Sequence, residues 1–191
     1  MIRDIAITRD EDIKILRSLI GQKFLYYEYG EERISDLHIF QGKINMRLHF
    51  SNIHFNLNNS EYEPEGRDNE LAWFYLSDIN SEKSFKPYVG SYIVPVNVND
   101  IVTGVEIIRE NVKIIDKDSN EVIEDNKADS AIIIRTENNI YMFYREYIFD
   151  EQIKVVNHDN FENVYPLEKA KEHWDNEQEN LDVITRERIK L

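Results

Sequence analysis

The chain has five histidines, and three of them, His38, His49 and His54, fall within one short stretch. Imidazole is the commonest protein ligand for transition metals and titrates nearest neutrality. His49 and His54 occupy polar positions of two alternating segments, so a turn near Ser51-Asn52 makes them cross-strand neighbours. With a carboxylate such as Asp36, the His38/His49/His54 region offers donors for zinc or iron, as in small barrel metalloenzymes. No His-x-His pair occurs, however, and solvated histidines on a strand face are the plainer reading. The expectation is therefore no metal and no cofactor, with these three histidines as weak metal candidates.

Other constellations carry less chemistry. Asp116, Asp118 and Asn120 imitate the start of a calcium loop, but Glu121 stands where glycine is needed and Lys127 where a bidentate glutamate is needed. A polar hairpin turn explains these residues. Carboxylate pairs such as Glu31-Glu32 or Asp10 with Asp12 are expected by chance among 37 acidic residues, so spacing nominates no acid–base couple. No nucleophile elbow, phosphate-binding loop, dinucleotide fingerprint or His-Glu-x-x-His motif is present. The absence of cysteine excludes disulfides, thiolate metal sites and a cysteine nucleophile. No catalytic residue is nominated, and the reading leans away from an enzyme.

Charge and aromatic content point to binding. The 191 residues carry a formal net charge of −14, with 37 acidic against 23 basic side chains. Such a field repels nucleic acid and anionic lipid and attracts a basic partner. There are 11 Tyr, 9 Phe and 2 Trp, and two segments mix tyrosine with acids: residues 24–29 and 141–147. Tyrosine supplies large contact area with a polar tip, so Tyr26, Tyr27, Tyr29 and Tyr144 are candidate partner contacts. The acidic candidates are Glu61, Glu63 and Glu65 in a loop, and Glu168, Glu172, Asp175 and Glu179, which share one face of a helix. Such a row can stand in for phosphates in a cationic groove.

The elements that must position these residues are mostly strands. Residues 10–21 read as a helix, with Asp10 as cap, Ile13, Leu16, Leu19 and Ile20 on one face and Gly21 at the end. Residues 44–50 and 53–57 alternate with period two, as a half-buried antiparallel sheet does. Residues 58–70 and 80–90 read as loops, and 71–76 as a central strand. Strands follow at 92–98, 101–108, 112–115, 129–136, 140–148 and 152–156, with a hairpin at Glu137-Asn138-Asn139. A helix is expected from Leu167 to about Glu179, with Pro166 suited to its start. The residues from Asn180 onward read as a strand or a tethered tail.

The expected fold class is α+β and predominantly antiparallel β: a curved sheet or barrel-like structure with an N-terminal and a C-terminal helix packed on it. One domain over 1–191 is expected, with 157–191 as a possible C-terminal helical appendage. The start, Met1-Ile2-Arg3-Asp4, shows no signal peptide, and no apolar run spans a bilayer, so a cytoplasmic location is expected.

Three functions fit. The first is an acidic protein-binding module, a stoichiometric inhibitor of immunity, phage anti-defence or anti-CRISPR type that covers a basic surface of a nuclease or nucleic-acid-binding protein. The second is a small barrel enzyme or small-molecule or metal binder built around the histidines. The third is a homo-oligomeric structural protein.

Overall fold

A computed structural model describes residues 5–30, 32–35, 38–40, 45–62, 71–79, 91–96, 100–146, 150, 152–174 and 180–191. Its elements, in order, are β1 (Ile5–Ala6), α1 (Asp10–Ser18), β2 (Phe24–Gly30), β3 (Glu32–Ser35), β4 (His38–Phe40), β5 (Asn45–Phe50), β6 (His54–Tyr62), β7 (Leu71–Asp78), β8 (Ser91–Pro95), β9 (Val102–Asp116), β10 (Val122–Thr136), β11 (Ile140–Tyr144), β12 (Lys154–Val156), α2 (Phe161–Val164), α3 (Leu167–Trp174) and β13 (Asn180–Lys190).

The strands form two main sheets. The first has the order β12-β11-β10-β9-β13, with β1 added in parallel against β10. The second has the order β7-β6-β5-β2-β8, and β3 pairs with β4. Among the described residues every pairing apart from that of β1 is antiparallel. Neither main sheet closes on itself: β12 and β13 are edges of one, and β7 and β8 of the other. The barrel expectation is thus replaced by two open, facing sheets, because no first-to-last strand pairing completes either ring.

Alternation sorts the core. On β9, Val105 and Ile107 face the second sheet, where they join Ile132, Ile134, Phe143, Phe24, Met46, Leu48, Phe50 and Leu57. Phe24 meets Tyr141 edge-on at 5.1 Å and Tyr27 meets Phe143 at 5.9 Å, so the sheets interlock through aromatic rings. Leu16 and Leu19 from the α1 region close this core. The opposite face of the first sheet presents Ile108, Val112, Ala131, Ile133 and Ile184, covered by Phe161, Tyr165 and Ala170 from α2, its C-cap and α3. The first sheet is therefore buried on both faces. Each such large apolar side chain contributes about 1.5–3 kcal/mol on burial.

Several local expectations change. α1 ends at Ser18, three residues before Gly21, and Ile20 is exposed rather than part of the apolar face. Its N-cap is Arg9, with no side-chain cap; Asp10 is already inside the helix. Gly21 takes φ +84°, the left-handed turn that glycine adopts without strain, and donates its N–H to Val102 at 2.9 Å. Residues 58–62 belong to β6 rather than to a loop. Asn58 and Asn59 stay in the ladder because their amides are buried and paired. The segments 101–108 and 112–115 are one strand, β9, and β10 begins at Val122, well before Asp129. Polar side chains interrupt both patterns, but arginine–carboxylate pairing satisfies several of them within the sheet. The residues from Asn180 form β13, paired with β9 from Asn180–Asp116 to Lys190–Glu106. Among the described residues no helix is long and apolar enough to cross a membrane.

Candidate functional site

The outer face of the second sheet gathers Tyr26 and Glu28 from β2, Arg47 and His49 from β5, and His54 and Asn56 from β6. Register does this: Tyr26 lies opposite His49, Glu28 opposite Arg47, and His49 opposite His54. A register shift between Phe24 and Tyr26 matters most. In regular alternation Phe24 and Tyr26 would share a face. The bulge at Leu25 sends Phe24 into the core and leaves Tyr26 beside His49.

The β5–β6 turn is pinned from a distance. Phe50 N–H donates to Ile53 O at 2.9 Å, and Ser51 Oγ and Asn52 Nδ2 both donate to Gln22 Oε1, at 2.6 and 2.9 Å. That fixes the partner of His49. Its ring is held on three sides. Tyr26 stacks on it at 4.1 Å and 16°, its Nε2 lies 2.8 Å from Glu28 Oε1, and its Nδ1 lies 3.1 Å from Nδ1 of His54. Nε2 of His49 thus faces a carboxylate and Nδ1 faces a second imidazole, with the donor and acceptor roles set by the tautomer. Burial lowers the His49 pKa below its ordinary value; Glu28 opposes this, while His54 and Arg47 add to it. His49 is buried and His54 is exposed, so the pair reaches from the sheet face to solvent.

The arrangement is a carboxylate–imidazole–imidazole chain, able to hold and pass a proton. Among the described residues no group of three or more histidine, cysteine or carboxylate side chains is arranged as a metal cage. His38 lies in β4, which pairs with β3 and not with this sheet. Its side chain lies outside the described residues.

The acids and tyrosines nominated for a partner scatter. Glu168 and Glu172 are exposed on α3. Glu61 is in β6, with its side chain outside the described residues, as are Glu63, Glu65, Asp175 and Glu179 entirely. Tyr144 is 7% exposed and packs at 6.1 Å on Phe161, and Tyr27 and Tyr29 pack against the intersheet core. Tyr144 is thus buried, whereas Tyr27 and Tyr29 are half-buried at the margin of the core. Tyr26 is a wall of the histidine site.

The arginines reveal what the sequence hid. Glu106 lies between Arg135 and Arg188, its Oε1 3.0 Å from Arg135 Nε. Glu110 accepts from Arg186 Nε at 2.7 Å and Ser130 Oγ at 2.6 Å, while Arg186 also reaches Glu162 and the Tyr165 carbonyl. Asp129 accepts from Arg109 at 2.7 Å and from Thr8 N–H at 2.6 Å. Arg145 is fully buried between the sheets, where it donates to Asn59 Oδ1 and the Ala72 carbonyl. Desolvation lowers its pKa to about 10, opposed by Glu110, Asp129 and Asp150, so it stays charged at neutral pH. Glu28 and these arginines had no signal of their own in the sequence, since their partners lie on other strands.

Comparison with known proteins identifies no relative. No family model, curated protein or solved structure matches the chain. The functional reading rests on the geometry and the charge.

Proposed function

We propose that this protein is an acidic binding module that engages a basic surface of another protein, as a stoichiometric inhibitor of a nuclease or nucleic-acid-binding partner. The observation that carries the reading is where the cations go. Arg109, Arg135, Arg186 and Arg188 are tied to Asp129, Glu106, Glu110 and Glu162, and Arg145 is buried in the core. Each internal pair removes one charge of each sign. With Arg145 withdrawn as well, the remaining residues carry one negative charge more than the net −14 of the chain.

Glu168 and Glu172 are part of that remainder, exposed one helical turn apart on α3. Ala170, between them, packs against the sheet, so the helix is anchored while its carboxylates meet solvent. Opposite charge raises the encounter rate and fixes orientation, and a few desolvated contacts then hold the complex.

The test is affinity capture of the tagged chain from its host at low salt, followed by direct binding of each captured protein in purified form. The expected partner is a basic nucleic-acid-binding protein that binds one to one and loses its activity when covered. Tight binding of the chain to DNA or RNA itself would contradict the reading, because its field opposes phosphate.

A further inference from the structure

We propose that His49 and His54 form a two-imidazole site for a borderline divalent transition-metal ion, Cu²⁺ or Zn²⁺, with Glu28 as the carboxylate that orients the first ligand. The two Nδ1 atoms stand 3.1 Å apart. Two metal–nitrogen bonds of about 2.0–2.1 Å place their nitrogens roughly 3.3–3.4 Å apart at a tetrahedral angle. At a right angle, as in tetragonal copper, the same bonds give about 2.8–3.0 Å. The observed separation falls between these limits, so the spacing suits one ion once the rings turn their Nδ1 lone pairs from each other toward it.

Three further features belong to a ligand pair. Glu28 Oε1 sits 2.8 Å from the far nitrogen of His49, near enough for a carboxylate to orient the ring when Nδ1 ligates. Tyr26 stacks on the same ring and holds its plane. His54 is exposed and supplies the entry path.

The charge balance is simple. Without an ion, one Nδ1–H lies between the two rings. On binding, that proton leaves Nδ1 for the Nε2 of its own ring, and each ring donates a Nδ1 lone pair. Arg47 opposes a cation here and Glu28 favours one; the two lie opposite each other in the register. With no third protein ligand of the described residues in reach, water fills the other positions, and the site is open and exchangeable.

The experiment is calorimetric titration of the metal-stripped full chain with Cu²⁺ and, separately, Zn²⁺ at pH 7.5, with electron paramagnetic resonance of the copper form. One ion per chain is expected, with hyperfine coupling from two imidazole nitrogens. H54N, an exposed change checked for folding by circular dichroism, weakens binding at least tenfold, and E28Q weakens it about 10–100-fold. H158N, at a half-exposed histidine elsewhere, leaves the affinity unchanged. Absence of saturable binding overturns the proposal, and so does one-to-one binding that H54N does not weaken.

Discussion

At the level of single residues, the polar side chains of this protein divide into those that neutralise one another inside and those left to face outward. Glu110 and Arg186 belong to the first group; both side chains are under a tenth exposed. Breaking such a pair on one side strands a charge in a poor dielectric. E110Q leaves Arg186 the Glu162 carboxylate and the Tyr165 carbonyl, so it is expected to lower unfolding free energy by about 1–3 kcal/mol, with a less than additive loss when combined with R186M. A double-mutant cycle by urea denaturation measures it. Asp100 gives a pH-dependent counterpart. Burial opposes its charge, but donors on Asn139, Thr136 and Asn138 outweigh the burial and hold its pKa below the ordinary carboxylate value. Glu106 is held low in the same way by Arg135 and Arg188. For carboxylates with depressed folded pKa values, the stabilisation is complete above about pH 4.5 and is lost as pH falls through the folded values. Thermal melts should show stability falling below about pH 4.5, with a shallower slope in D100N.

At the level of elements, the strands were legible wherever one face is apolar. The alternation of Met46, Leu48 and Phe50 against Arg47 and His49 is plain in the sequence, and so is the hairpin at Glu137-Asn138-Asn139. What stayed hidden is non-local. The bulge that turns Tyr26 toward His49 leaves no mark in composition. The long reach of β9 and β10 depends on Arg109, Arg186 and Arg188 meeting carboxylates on neighbouring strands, so those segments read as polar interruptions. Residues 58–62 looked like a loop because asparagine is a turn residue, yet Asn59 donates to the Asp150 carbonyl across the core. The short helix α2 was invisible for a different reason: its four residues carry no period. The turn after α1 provides a test at this scale. Gly21 has φ +84° and open space where a Cβ would go, so G21A meets no clash and its cost is the backbone conformation alone, about 1–2 kcal/mol by equilibrium denaturation. A cost near zero would mean that the turn relaxes.

At the level of the whole molecule, two facing sheets form the frame, α1 closes the core between them, and α2 and α3 cover the other face of the first sheet. Little of the candidate surface could be read beforehand beyond its sign. Net charge is additive over residues, whereas placement is not: Tyr144 is buried against Phe161, and Tyr27 and Tyr29 are half-buried beside the core. The central claim is that long-range attraction to a basic partner drives association. It is tested most directly by measuring the association rate with the captured partner at about 50 and 500 mM salt, for the native chain and for E168K/E172K. Debye screening shortens from roughly 14 to 4 Å over that range. The native rate should fall at least tenfold with salt, and the double variant should be slower at low salt and less salt-sensitive, with little change in dissociation. A native rate indifferent to salt, or a double variant that associates as fast as the native chain, would contradict the account.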